Sequence, residues 1–158
     1  RELAEIAPGI LVATSRRMST TSTVLVGAGD ALLVDPAWLP DELAALSAEL
    51  RRRALEVIGG FATHAHEDHV LWHPGFGDAP RWASERTAQC ARHDRDALVD
   101  ALADALGRDF PADLAAEPVG DERFETVSDF HPDPPLLERQ ENQQAIVLAA
   151  LADAASAV

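Results

Sequence analysis

One stretch limits the folds open to this chain more than any other. The apolar run Val57-Ile58-Gly59-Gly60-Phe61-Ala62 leads directly into Thr63-His64-Ala65-His66-Glu67-Asp68-His69. A short apolar run of this kind reads as a buried strand, and a strand delivers whatever follows it to one point at its end. In extended backbone, residues two apart face the same way, so His64 and His66 are expected to project together. A turn after them would bring Asp68 and His69 round to a second point nearby. Imidazole and carboxylate are the side chains a divalent transition metal, above all zinc, prefers. The competing reading is a polar surface loop whose histidines cap a helix start; the density of the cluster favours a metal site.

The elements upstream can be read in order. Glu5 to Ser15 and Thr23 to Val26 read as strands on their β-branched apolar positions. Gly27-Ala28-Gly29-Asp30 is a turn signal, and Ala31 to Val34 resumes the sheet as the second arm of a hairpin. Arg16, Arg17 and Met18 fall in the loop before the second strand, either solvated or facing a substrate entrance. Asp41 to Ala54 reads as a helix, acidic in its first turn and basic at Arg51, Arg52 and Arg53, with Leu43, Leu46 and Leu50 at helical spacing. Strand, helix and strand then form a parallel crossover that sets the histidine cluster at a strand's carboxyl end, where α/β proteins keep their sites.

Downstream, Trp72 and His73 are candidates for a pocket mouth, with Pro74 arguing against a continuing helix and against His73 as a ligand. Ala79 to Ala83 reads as a short strand. Ser84 is a good N-cap for a helix from Glu85 to Leu106, with Gly107 as its stop. Ala88, Ala91, Leu98, Leu102 and Ala105 would form its inner stripe, and His93 would sit on the exposed face. Cys90, in that helix, reads as a small buried apolar residue rather than a nucleophile. Phe110 to Leu114 would start a further helical turn, and a terminal helix is expected from Pro134.

With these residues on the page, the chain resembles the metallo-β-lactamase-fold hydrolases, among them glyoxalase II-like thioesterases, lactonases, lactamases and some nucleases. Thr63 to His69 looks like their metal-binding signature. Ala31-Leu32-Leu33-Val34-Asp35-Pro36-Ala37 looks like their buried strand ending in an aspartate beneath the metals. The likeness runs from about Ile10 to Leu114. It implies an α/β (α+β) chain with an αββα sandwich, its N-terminal half well represented and its second half truncated or degenerate. Residues 1–116 would be the half-fold carrying the motif. Residues 117–158 would be an irregular segment and a C-terminal helix of the same domain. The resemblance further implies that His64 and His66 hold one metal and Asp68 and His69 another, with Asp68 also catalytic. Family members supply further ligands from their second half. Here Asp121, in Val119-Gly120-Asp121, and His131, in Phe130-His131-Pro132, are the weaker additional candidates.

Composition narrows the function class. A chain of 158 residues is about one domain, and its net charge of −14 repels phosphate backbones, against nucleic acid as a partner. Every basic residue is Arg, a compositional bias rather than chemistry. A single Cys excludes an intrachain disulfide and suits a reducing cytoplasm. No apolar run reaches the length of a membrane span. The expected function is metal-dependent hydrolysis of a small ester, thioester or lactone, using one or two divalent ions, zinc foremost. The alternative is a non-catalytic, shortened relative that binds metal weakly or serves as an oligomerising module. A half-fold would expose the inner face of its sheet, so a homo-oligomer is a further expectation.

Overall fold

The computed structural model describes residues 3–37, 39–106 and, for the backbone, 124–126. The described residues lie within a compact unit spanning Arg1–Ser128. The strands are β1 (Ala4–Ala7), β2 (Ile10–Thr14), β3 (Thr21–Gly27), β4 (Asp30–Val34), β5 (Glu56–Ala62), β6 (Arg81–Ala83) and β7 (Phe124–Thr126). They form one mixed sheet in the order β1-β2-β3-β4-β5-β6-β7. The first four strands run antiparallel as a meander. From β4 onward each neighbour is parallel. Helix α1 (Pro40–Arg52) makes the crossover from β4 to β5.

The single strand expected over Glu5 to Ser15 is two. Pro8 and Gly9 form a two-residue turn that folds β1 back on β2, pairing Ala7 with Ile10. Gly9 has φ +74, and a Cβ there would meet the Val26 carbonyl oxygen at 2.8 Å, so only glycine fits. The hairpin turn at Ala28 and Gly29 forms as the sequence predicts, with both residues at positive φ.

The core follows from the strand period. Leu11 faces Val24, Val24 faces Leu33, and Leu33 faces Gly60, giving a row along one side of the sheet. Leu11, Val24 and Leu33 are fully buried. In α1, Leu43, Leu46 and Leu50 are buried as their spacing predicts. Its last turn carries a clasp: Arg52 and Arg53 both bond Glu49, at 2.6 and 2.7 Å, and hold its carboxyl down to about 2. The arginine cluster is thus engaged by its own helix.

Two glycines in β5 explain how the strand is covered. A methyl group on Gly59 would collide with the Trp82 indole, and one on Gly60 with the Trp72 indole. Successive residues of a strand face opposite sides, so the two indoles cover different faces of β5. The expectation that Trp72 lines a pocket mouth is therefore corrected. Trp72 is buried, its Nε1 donates to the Gly77 carbonyl at 2.8 Å, and the buried Arg81 guanidinium stands 5.6 Å from its ring. His73 caps a 3-10 turn at Pro74–Phe76, its Nδ1 accepting from the Gly75 amide at 3.0 Å. Ser47 of α1 ties that turn down by donating to the Gly75 carbonyl.

The long helix predicted from Glu85 is broken into α2 (Glu85–His93) and α3 (Arg95–Leu106). Ser84 caps α2 as expected, accepting from the Thr87 amide. The break falls at Asp94, at φ −101 and ψ 20, where His93 and Asp94 are both weak helix formers. Ala88, Ala91, Leu98 and Leu102 still face inward, His93 is exposed, and Cys90 is half-buried rather than buried. The expected stop at Gly107, the turn at Phe110 to Leu114 and the terminal helix lie outside the described residues. Among the described residues, no helix is long and apolar enough to cross a membrane.

Candidate metal centre

β4 and β5 run parallel, so their carboxyl ends lie side by side. Asp35 follows β4 and Thr63 follows β5, and the Asp35 amide donates to the Phe61 carbonyl at 2.9 Å, locking the two ends together. Asp35 sits at φ +49, a left-handed conformation that costs a non-glycine residue on the order of 1 kcal/mol. The contacts it makes from there account for that strain. Its Oδ1 accepts from the Thr63 amide at 2.8 Å and its Oδ2 from the Thr63 hydroxyl at 2.6 Å. The same Oδ2 lies 3.0 Å from His69 Nδ1, off the line of a well-aligned hydrogen bond but close enough for charge pairing.

The histidines are then placed one by one. Thr63 Oγ1 is 2.9 Å from His64 Nδ1. The hydroxyl has one proton and gives it to Asp35, so towards His64 it accepts. His64 Nδ1 therefore carries the ring proton and Nε2 presents a lone pair. That nitrogen lies 3.1 Å from His66 Nδ1. The backbone turns, His69 N–H donating to the His66 carbonyl at 3.0 Å, and brings Asp68 and His69 alongside. His69 Nε2 stands 3.3 Å from Asp68 Oδ2. The His64 ring centroid is 4.5 Å from that of His66 and 3.9 Å from that of His69. His64 thus lies against both His66 and His69, and His69 against Asp68.

The electrostatics differ between the pairs. Burial, followed by the neighbouring His69 and His66, pushes the His64 pKa below 6.5, which keeps its ring neutral. Burial also works against the His69 cation, but contact with Asp35 and the charges of Asp35, Asp68 and Glu67 outweigh it and raise the pKa above 6.5. Asp68 is buried and His69 nearly so, whereas His66 is exposed.

Whether such donors suit zinc can be judged from spacing. With Zn–N bonds of about 2.0–2.1 Å, two ligands on a tetrahedral ion stand about 3.3–3.4 Å apart. The separations of 3.1 Å in one pair and 3.3 Å in the other are close to that edge. Among the described residues, no three His, Cys, Asp or Glu side chains are arranged to hold a single ion. Asp121 and His131 lie outside the described residues.

Residues 16–148 match the family model of the metallo-beta-lactamase superfamily. The chain belongs to the metallo-beta-lactamase superfamily. The match continues past Leu114, where the likeness legible from motifs stops. Members of this superfamily are generally metal-dependent hydrolases, and the mixed sheet with its crossover helix is the fold they share. Two crystal structures of the DIM-1 metallo-beta-lactamase are similar. One aligns at TM-score 0.52 and 20% identity, over 60% of this chain and 46% of that one. The other, exposed to ceftazidime, aligns at TM-score 0.50 and 17% identity, over 60% and 47%. The matched part of this chain thus spans about half the length of those superfamily members. No curated protein matches it.

Two residues at the centre escaped a reading by motif. Thr63 was visible as the first residue of the cluster, but its part in fixing the His64 tautomer depends on Asp35. Thr20, whose hydroxyl donates to Asp68 Oδ2 at 3.2 Å, lies 48 positions upstream and had no signal at all.

Proposed function

We propose that this chain is a metal-dependent hydrolase of small carbonyl substrates, esters, thioesters or lactones, with zinc as its cofactor. The observation that carries the reading is the convergence of His64 Nε2 and His66 Nδ1 at 3.1 Å beside the Asp68–His69 pair, at the carboxyl ends of two parallel strands. His64 and His66 would hold one ion, and Asp68 and His69 a second. Zinc, when bound, supplies a Lewis acid and lowers the pKa of a coordinated water towards neutrality.

The chain's own residues prepare for this. The Thr63 hydroxyl keeps the His64 proton on Nδ1, so Nε2 is ready to donate its lone pair without first losing a proton. Asp35 holds Thr63 and stands against His69 Nδ1, orienting the His69 ring so that Nε2 faces Asp68. Asp68, buried beside His69, would also orient the nucleophile. No serine or cysteine nucleophile is required. With a net charge of −14, small neutral or cationic substrates suit the chain better than nucleic acid.

The test is metal content per chain by elemental analysis, with the mass in solution measured alongside, followed by thioester and lactone hydrolysis. Hydrolysis that is lost with a chelator and restored by zinc is the expected result. Protein that takes up no zinc and hydrolyses none of these substrates would overturn the reading, leaving the non-catalytic alternative.

A further inference from the structure

We propose that Thr20 is a positioning residue of the metal centre, holding the Asp68 carboxylate in the orientation that the second pair of donors needs. The proposal deepens the metal-dependent reading above and rests on it.

Thr20 closes the loop from Ser15 to Thr20, which joins β2 to β3. The loop is tied at its neck, where the Ser15 amide donates to the Thr20 carbonyl at 2.8 Å, and the Thr20 amide approaches the Arg17 carbonyl at 3.4 Å. Met18 and Ser19 turn it through consecutive left-handed conformations, at φ 54 and φ 58. It is tied again to the start of α1. Ser15 Oγ donates to Glu42 Oε2 at 2.6 Å, the Arg16 amide to Glu42 Oε1 at 2.9 Å, and the Arg16 guanidinium forks onto Asp41 at 2.8 and 2.9 Å. Thr20 therefore reaches the site from a base fixed by backbone and side-chain contacts.

From that base its hydroxyl donates to Asp68 Oδ2 at 3.2 Å. The same oxygen is 3.3 Å from His69 Nε2, close to the separation of two ligands on one zinc ion. Rotation of the carboxylate about χ2 would carry Oδ2 away from His69 and break the Thr20 bond. The hydroxyl bond opposes that rotation, so less side-chain freedom remains to be lost when an ion binds. A β-branched residue is itself stiff at χ1, which makes threonine a firmer arm than serine.

The experiment compares the whole chain with its Thr20→Val and Thr20→Ser variants. Thr20→Val keeps the shape and the branching and removes the donor, while Thr20→Ser keeps the donor. Far-UV circular dichroism checks that each folds. Zinc affinity by competitive titration, and the visible spectrum of the cobalt(II)-loaded protein, are the readouts.

Thr20→Val is expected to weaken zinc binding about tenfold or more and to alter the cobalt spectrum, with Thr20→Ser retaining both. A Thr20→Val protein that binds as tightly as wild type overturns the proposal. So does a Thr20→Ser protein that loses as much as Thr20→Val, because the hydroxyl would then not be the operative group. A wild-type chain that takes up no zinc at all overturns the metal-dependent reading itself, and the role of Thr20 with it.

Discussion

The two donor pairs of the cluster are adjacent in sequence and differently built. Asp68 and His69 are gripped from three directions, by Asp35 from the end of β4, by Thr20 from the loop before β3, and by the buried segment Val70-Leu71-Trp72 that follows. His64 and His66 stand further out; His64 rests on the Thr63 hydroxyl and on the rings of His66 and His69. The tightly held pair brings a carboxylate and an imidazole whose cation the site favours. The open pair brings two imidazoles, of which His64 is kept neutral. A cluster written as one motif thus folds into a preset pair and an accessible one, and the difference comes from residues outside the motif.

Breaking the grip from below should have the largest effect. Asp35→Ala would leave the Thr63 amide and hydroxyl and the His69 ring without their carboxylate, and is expected to cost about 3–4 kcal/mol of stability. Urea melts of the metal-free protein measure it. A loss under about 1 kcal/mol would mean that Asp35 does not fix the site.

Gly60→Ala sharpens the comparison from another side, because it disturbs the strand beneath both pairs without touching any donor. Its new methyl group would displace Trp72, and with it the anchor after His69, at a cost of about 1–3 kcal/mol. An unchanged melting temperature would contradict the close packing of Trp72 on β5.

Single histidine truncations should separate the pairs. His69→Ala is expected to destabilise the metal-free protein by about 1 kcal/mol, since it removes a nearly buried ring and leaves Asp35 partly unpaired. His64→Ala should cost about 0.5 kcal/mol or less, while both weaken zinc uptake. Equal destabilisation by the two would erase the distinction between a preset and an open pair.

The smallest effect is in pH, and there the two histidines should differ in sign. His69, its folded pKa raised, contributes stability that is full below its unfolded value near 6.5 and fades as pH rises through the raised value. His64, its folded pKa lowered, acts oppositely, costing stability as pH falls below 6.5 towards the depressed value. Proton NMR titration of the two rings in metal-free protein, assigned with the alanine variants, should place His69 above 6.5 and His64 below. Titration of both on the same side would refute the opposite-sign picture.

Much of this is legible in the sequence. The hairpin turn at Ala28-Gly29, the buried stripe of α1, the crossover to β5 and the Ser84 cap all follow from short-range patterns, where period and turn chemistry act within a few residues. The errors were of the same local kind. The turn at Pro8-Gly9 interrupts an otherwise strand-like run, the break at His93-Asp94 an otherwise helical one, and a strand with two glycines gives no sign that Trp72 lies on it.

By itself the sequence determined the strands and crossover helix that lead to the cluster and the family's histidine motif, and with them the kind of chemistry to look for. Local periodicity and residue type are enough for that. Only the tertiary structure decided that Asp35 would clasp Thr63 from 28 positions away and that Thr20 would reach Asp68 across 48. It also decided the proton position on His64 and the unequal burial of the two pairs. Those outcomes depend on strand register and on which ends of the sheet lie together. These are properties of the whole sheet that no short stretch of the chain encodes.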